Sequence, residues 1–462
     1  MSHWKKMRNS KIILLSFLVF LFGVTIGLTQ SHKVPTLSNS VYEELKVFSD
    51  VLGLIQKDHV EEAKSRDLIY GAIKGMLETL DAHSAFMPPE TYKEMQAETK
   101  GRFEGLGIEI TVRDGILTVV SPIEDTPAFR AGVVSGDQIL KIEGELTKNL
   151  TLMDAVKKLR GPKGSQVTIT IMREGLTKPK EFTLVRDVIP VRSVRHELLE
   201  KHYGYIRISQ FQERTDSDFE KAMKALEEEG KGTLRGLILD LRNDPGGLLD
   251  QAVKISDRFI ESGLIVSVEG RKEDQKMKFY AQSQGTLPPY PLVVLINSGS
   301  ASGSEIVAGA IQDHRRGILL GTQTFGKGSV QTIFPLKDGS ALRLTTARYY
   351  TPSGRSIQAK GITPDIVVKL IRPEEEKESP QLKMPVEKDL ERHLMETEKG
   401  MPKDKEKEKV NKEKVIKEKE NKEKEKPGKE EAKEKKPVDN QVDRALELLK
   451  SWDIFKNLAK GK

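Results

Sequence analysis

The stretch PLVVLINSGSASGSEIVAGAIQDH (291–314) decides how the chain reads. An apolar run of strand length at 291–296 gives way to a cluster of small residues, and a helical pattern starts at about residue 303. The same order of signals occurs upstream in GLILDLRNDPGGLLDQAVKISDRFI (236–260). There a buried-type strand at 236–241 meets a turn with Pro245, Gly246 and Gly247, and an amphipathic helix follows. Strands alternating with helices imply an α/β core with parallel pairing, in which ligands gather at the carboxyl ends of the strands. Both strand-to-helix turns are expected at that one edge.

Serines in a cluster that opens a helix are either caps or nucleophiles, and Ser300 and Ser302 admit both readings. A nucleophile at Ser302 gains a specific advantage, because the amide of Gly303 faces a developing oxyanion at a helix N-terminus. The backbone of Gly246 or Gly247 is the candidate second donor. A serine hydroxyl also needs a base. Of the eight histidines, His314 falls three turns down the helix from Ser302, whereas His83 and His196 stay open as partners. Lysine is the alternative base, provided that burial keeps it neutral. Lys327, between Gly326 and Gly328 and behind Phe325, suits that role.

The segment around that lysine, GTQTFGKGS (321–329), nearly spells a phosphate-binding loop. Gly321, Gly326 and Lys327 fit, but position 328 is glycine and the hydroxyl arrives one residue late at Ser329. A phosphate loop must also open into a helix. Here SVQTIFPL and KDGSALRLTTARYY carry strand patterns instead, so nucleotide binding is not the expected use of the lysine.

The 462 residues call for two or three domains, and 31% charged against 37% hydrophobic residues fits folded modules plus a solvated segment. The net charge of +7 is spread along the chain without a basic patch interleaved with aromatics, so no nucleic-acid partner is expected. Basic residues in MSHWKKMRNSK (1–11) precede the apolar run IILLSFLVFLFGVTIGL (12–28). Residues 1–30 therefore read as a signal or membrane anchor. A retained anchor is favoured over a cleaved signal, and the rest of the chain is expected on the extracytoplasmic, periplasmic side of the cytoplasmic membrane. The absence of cysteine excludes disulfides and thiol catalysis. Residues 373–437 are rich in Lys and Glu and read as a disordered spacer, and 438–462 as a short amphipathic helix that docks on the body or on a partner.

Between the ends, residues 31–98 form a helical region in which VYEELKVFSDVLGLIQ (41–56) and LIYGAIKGMLETL (68–80) carry helical spacing and MPPE (87–90) stops the run. Residues 102–120 give two strands joined at Asp114–Gly115. Thr151 and Asp154 open a helix with capping-box chemistry, and 161–175 leads into a closing strand pair. With GLGI at 105–108, SGDQILKIEG at 135–144 and AVKKLRG at 155–161 in this order, residues 99–185 resemble a PDZ domain. That resemblance implies that Gly105, Leu106, Gly107 and Ile108 receive the terminal carboxylate of a peptide that adds as a strand. Arg160 is a further candidate contact, either with the peptide or with the neighbouring domain, and is equally readable as a surface residue.

The motifs ILDLRNDPGG, NSGSASGSEIVAGAIQD, GTQTFGKGSVQ and ALRLTTARYYTPSGRSIQAKGITPD together resemble the carboxyl-terminal processing proteases, over roughly 40–370. The resemblance implies a crotonase/ClpP-like α/β protease core at 186–372, with the PDZ-like β-rich domain inserted after a helical N-terminal region. It makes Ser302 the nucleophile, Lys327 the general base and Gln331 the residue that orients the lysine, with oxyanion donors at Gly303 and the Gly246–Gly247 pair. It implies no cofactor and no metal, substrates with unstructured C-termini, and gating of the site by the PDZ-like module; homo-oligomerisation is left open. Position 303 departs from the family, which commonly has alanine there, but a backbone donor survives that change.

Overall fold

The structure, a computed structural model, describes residues 39–113, 115–232, 234–371, 385–390, 392–394 and 439–460. The expected anchor and most of the expected spacer lie outside the described residues. Among the described residues no helix is long and apolar enough to cross a membrane. Residues to Ile73 form one unit and those from Lys74 a second. In the first unit lie the helix Asn39–Asp58 and the start of the helix Ser65–Glu78.

The prolines of MPPE do not end a helix. The preceding helix has already closed at Glu78, and Ala85–Met87 is a strand paired with the strand Ala341–Tyr350. Pro89 then opens the helix Pro89–Thr99. Proline at the first helical position loses no hydrogen bond, because that amide has no intrahelical acceptor in any helix. Read as a breaker, the pair gave the opposite of its actual role.

The α/β core is built on a six-stranded sheet in the order Val194–Leu199, Tyr203–Ile208, Gly236–Asp240, Leu292–Ile296, Ile318–Gly321 and Ile366–Val367. Its first pair is antiparallel and the others are parallel. Gly236–Asp240 and Leu292–Ile296 are buried at every position, which explains why they read as continuous apolar runs instead of alternating. The helices Thr215–Glu229, Leu249–Asp257 and Gly303–Asp313 contribute Phe219, Ile255 and Val307 to the main core. A second, antiparallel sheet carries Gly263–Gly270, Met277–Ala281, Ser329–Pro335 and Ala341–Tyr350.

The PDZ-like module has its own sheet and its own core around Ile139, Val167 and Ile169, with the helix Leu152–Leu159 capped by Thr151. Its two ends meet in a strand pair, Arg102–Gly105 against Asp187–Pro190. This is the geometry of an inserted domain.

The far end of the chain returns to the protease core. The helix Asn440–Lys460 buries Ala445 and Leu449 against Tyr203, Ile238 and Val293 of the parallel sheet. Gly236 makes room for it, since a Cβ there would sit 2.9 Å from Leu449 Cδ2. At the helix start, Arg242 reaches Asp439 at 2.8 and 3.0 Å and Gln441 at 2.8 Å, while also binding Asp240. The helix thus covers a sheet face that would otherwise meet water. Leu449→Ala is expected to lower unfolding free energy by about 2–4 kcal/mol, measured by urea denaturation.

Candidate active site

Ser300 and Ser302, on the turn between the strand Leu292–Ile296 and the helix Gly303–Asp313, and Ser304, in the first turn of that helix, are told apart by their hydroxyls. Ser300 Oγ donates to Leu241 O at 2.7 Å and accepts from Asn297 N. Ser304 Oγ donates to Asp244 O at 2.9 Å. Both tie this turn to the Leu241–Asp244 turn of the neighbouring strand. Ser302 Oγ has no hydrogen-bond partner among the described residues, so it is not acting as the helix cap. Ser302 is also held at φ 52°, ψ −108°, a conformation that L-residues rarely adopt unless their surroundings impose it.

Glu305 imposes it. Its fully buried carboxylate accepts from Ser302 N at 2.9 Å through one oxygen, and the same oxygen accepts from Lys327 N at 2.9 Å. The other oxygen accepts from Gly326 N at 2.8 Å and from Thr324 Oγ1. The amides of Ser302 and Lys327 are therefore at most two hydrogen bonds apart, although 24 intervening residues separate them in the chain. Burial pushes the Glu305 carboxyl up to about 7 against the pull of these four donors.

Lys327 is half-buried, and its ammonium makes no hydrogen bond or ion pair among the described residues. Burial lowers its pKa, Arg343 lowers it further, and Glu387 and Glu305 oppose the shift. The surroundings are more charged than the apolar stretch of sequence suggests. The chain continues into the strand Ser329–Pro335, with no helix to receive a phosphate. Gln331 lies just after a register shift in that strand, and its Nε2 donates to Ser329 Oγ at 2.9 Å.

On the facing turn, Gly246 and Gly247 have φ of +95° and +146°. A Cβ on Gly246 would come within 2.7 Å of Ala301 O and Gly303 N, so only glycine lets the two turns touch. The Gly246 amide is committed to Asp244 Oδ1 at 2.8 Å. The amides of Gly247 and Gly303 have no acceptor among the described residues. Asp244 O also receives Ala301 N at 2.9 Å, whereas its buried Oδ2 has no partner among the described residues, and burial pushes this carboxyl up to about 8.

Neither His83 nor His196, the two histidines left open, is bonded to Ser302 among the described residues, and nor is His314. His314 Nε2 lies 2.7 Å from Leu264 O, His83 Nε2 pairs with Glu387 at 2.8 Å, and His196 is exposed on an edge strand. In the PDZ-like module, Gly107 has φ +75° and no space for a Cβ, which would lie 2.3 Å from Thr126 Cβ. The Leu106 and Gly107 amides have no acceptor among the described residues. Arg160 stacks at 4.9 Å over Phe103 and lines a groove of about 550 Å³ with Phe103 and Val188. No group of three or more His, Asp or Glu residues forms a metal site among the described residues.

Glu305, Asp244 and Glu387 were not anticipated as site residues. The first had a legible signal, since Ser302-x-x-Glu305 has capping-box spacing. Asp244 had one as well, since its side chain accepts from the Gly246 amide two residues on, whereas Glu387 acts across a separation that no local pattern records.

A Bartonella bacilliformis carboxy-terminal-processing protease is 48% identical to the chain over 368 residues, covering 79% of this chain and 84% of its own. The chain belongs to the S41 peptidase family. The S41 family profile matches residues 202–368, a PDZ profile matches 105–184, and the profile of the N-terminal domain of the activating protease CtpB matches 27–91. Carboxy-terminal processing protease CtpB of Bacillus subtilis is 36% identical over 78% of this chain and 76% of its own. A solved photosystem II D1 C-terminal processing protease is similar at 27% identity, covering 72% of this chain and 94% of its own, with a TM-score of 0.40. The S41 chain is thus a serine-type peptidase with a PDZ domain, built on an α/β core.

The candidate site hangs on Glu305. Glu305→Gln replaces one acceptor oxygen with a donor that faces amides, and is expected to cost about 2 kcal/mol or more in stability and to reduce proteolysis about 100-fold. Thermal melts beside cleavage assays check both effects.

Proposed function

We propose that this S41 peptidase is an endopeptidase that captures unstructured protein C-termini in its PDZ domain and cleaves them with a serine–lysine site. The observation that carries the reading is the pairing at Glu305: an uncommitted Ser302 hydroxyl on one amide and a partly buried Lys327 on the other. Neutral Lys327 Nζ takes the Ser302 proton as Oγ attacks the scissile carbonyl. The Gly303 and Gly247 amides donate to the resulting oxyanion. Collapse breaks the C–N bond as the lysine returns its proton to the leaving amine. Water, deprotonated by the same lysine, then releases the acyl group and regenerates Ser302. Gln331, four residues on in the strand Ser329–Pro335, is assigned to orient the lysine.

At the PDZ domain, the Leu106 and Gly107 amides are suited to a terminal carboxylate, with the peptide adding beside the strand Ile108–Arg113. Residues 12–28 anchor the enzyme to the cytoplasmic membrane, with the protease on the extracytoplasmic side.

Purified full chain is expected to cleave an unstructured protein bearing an apolar C-terminal tail, and Ser302→Ala and Lys327→Ala to lose cleavage at least 1000-fold while remaining folded. Retained cleavage in either variant removes its residue from the mechanism. Tail binding without cleavage by the parent would favour a peptide-binding scaffold. Because the lysine acts only when neutral, kcat/KM is expected to rise with pH through a midpoint below the ordinary lysine value of 10.5. A flat profile from acid to alkaline pH would contradict the assignment.

A further inference from the structure

Residues 385–390 fall within the stretch expected to be spacer and beyond the S41 match, yet they pack against the loop that carries Lys327. A turn of 3-10 helix at Glu387–Asp389 places the Glu387 carboxylate fully inside the protein. Solvated spacers do not bury carboxylates without partners, and this one has several. Its oxygens lie 2.8 Å from His83 Nε2, and one accepts from Gln358 Nε2 at 2.7 Å.

The contacts reach both flanks of the lysine. On one side Glu387 N donates to Phe325 O at 3.1 Å. On the other, Gln358 passes the link along, because its Oε1 accepts from Gly328 N at 3.0 Å. A Cβ at Gly328 would lie 2.3 Å from Gln358 N, so the loop and the Gln358 segment are in close contact there. His83, which closes the far side of the carboxylate, offers its carbonyl to Arg343 Nε at 3.0 Å.

We propose that Glu387 is a positioning residue for proteolysis: residues 385–390 form a strap whose buried carboxylate braces the Lys327 loop from behind and supplies negative charge facing the lysine. This inference rests on Lys327 being the base. The charged and titratable groups facing the lysine are then Arg343 from the strand Ala341–Tyr350, Glu305 from the helix Gly303–Asp313 and Glu387 from the strap, with His83 behind Glu387. Glu387 stabilises the protonated lysine. Removing its charge therefore moves the pH at which the lysine becomes neutral downward.

Two variants separate bracing from charge. Glu387→Gln keeps the shape and removes the charge, so the kcat/KM midpoint is expected to shift to lower pH by about 0.5–1 unit, with kcat down about 3- to 10-fold. Gln358→Ala keeps the Glu387 carboxyl but removes one of its donors together with the link to Gly328, so kcat is expected to fall about 10-fold at unchanged KM, with faster hydrogen exchange in 325–329 and a smaller midpoint shift than Glu387→Gln gives. If Glu387→Gln fails to fold, Gln358→Ala decides alone. Lys327→Ala is assayed alongside: should it retain activity, the base assignment fails and the strap's role with it. If Lys327→Ala is inactive while both strap variants keep the parent's kcat, midpoint and exchange, the strap is filler and the proposal is overturned.

Discussion

One buried carboxylate holds the candidate site together. Glu305 accepts from the amides of Ser302, Gly326 and Lys327 and from the Thr324 hydroxyl, and so joins the start of one helix to a loop that follows the next strand. A fully buried carboxylate is costly in the absence of such donors, which makes the four-fold pairing a strong geometric restraint. The same carboxylate fixes the amide of Ser302, whose backbone sits at φ 52°. The neighbouring turn completes the restraint, with Ser300 and Ser304 bound to the carbonyls of Leu241 and Asp244.

The α/β core was readable because its central strands are buried on both faces and appear as apolar runs, each followed by small residues and an amphipathic helix. The PDZ-like insertion was readable from the Asp114–Gly115 connection and the Thr151 cap. Pro88 and Pro89 were misread because proline excludes itself from helix interiors and favours helix starts for the same reason, its missing N–H. Only the surrounding structure shows which applies.

In the candidate site the proposed reactive groups stood out in the sequence, and most of their supports did not. Ser302 and Lys327 stand out because small residues surround them and no histidine is better placed. The choice between Gly246 and Gly247 depends on the Asp244 side chain, which takes the Gly246 amide two residues on, a local turn signal that the sequence reading passed over. Glu387 was hidden by composition: it borders a long Lys/Glu tract, and one buried glutamate among many charged neighbours has no distinguishing sequence signal. The C-terminal helix shows the same effect, since Arg242 meets Asp439 across a separation of nearly 200 residues.

The central claim is that burial leaves Lys327 able to lose its proton and act as a base. The most direct test follows the Lys327 Cε resonance by NMR titration in the folded Ser302→Ala protein, with Lys327→Arg used to assign it. The expected result is a midpoint clearly below 10.5, the ordinary lysine value. A midpoint at or above that value would leave the ammonium protonated under working conditions and contradict the serine–lysine site.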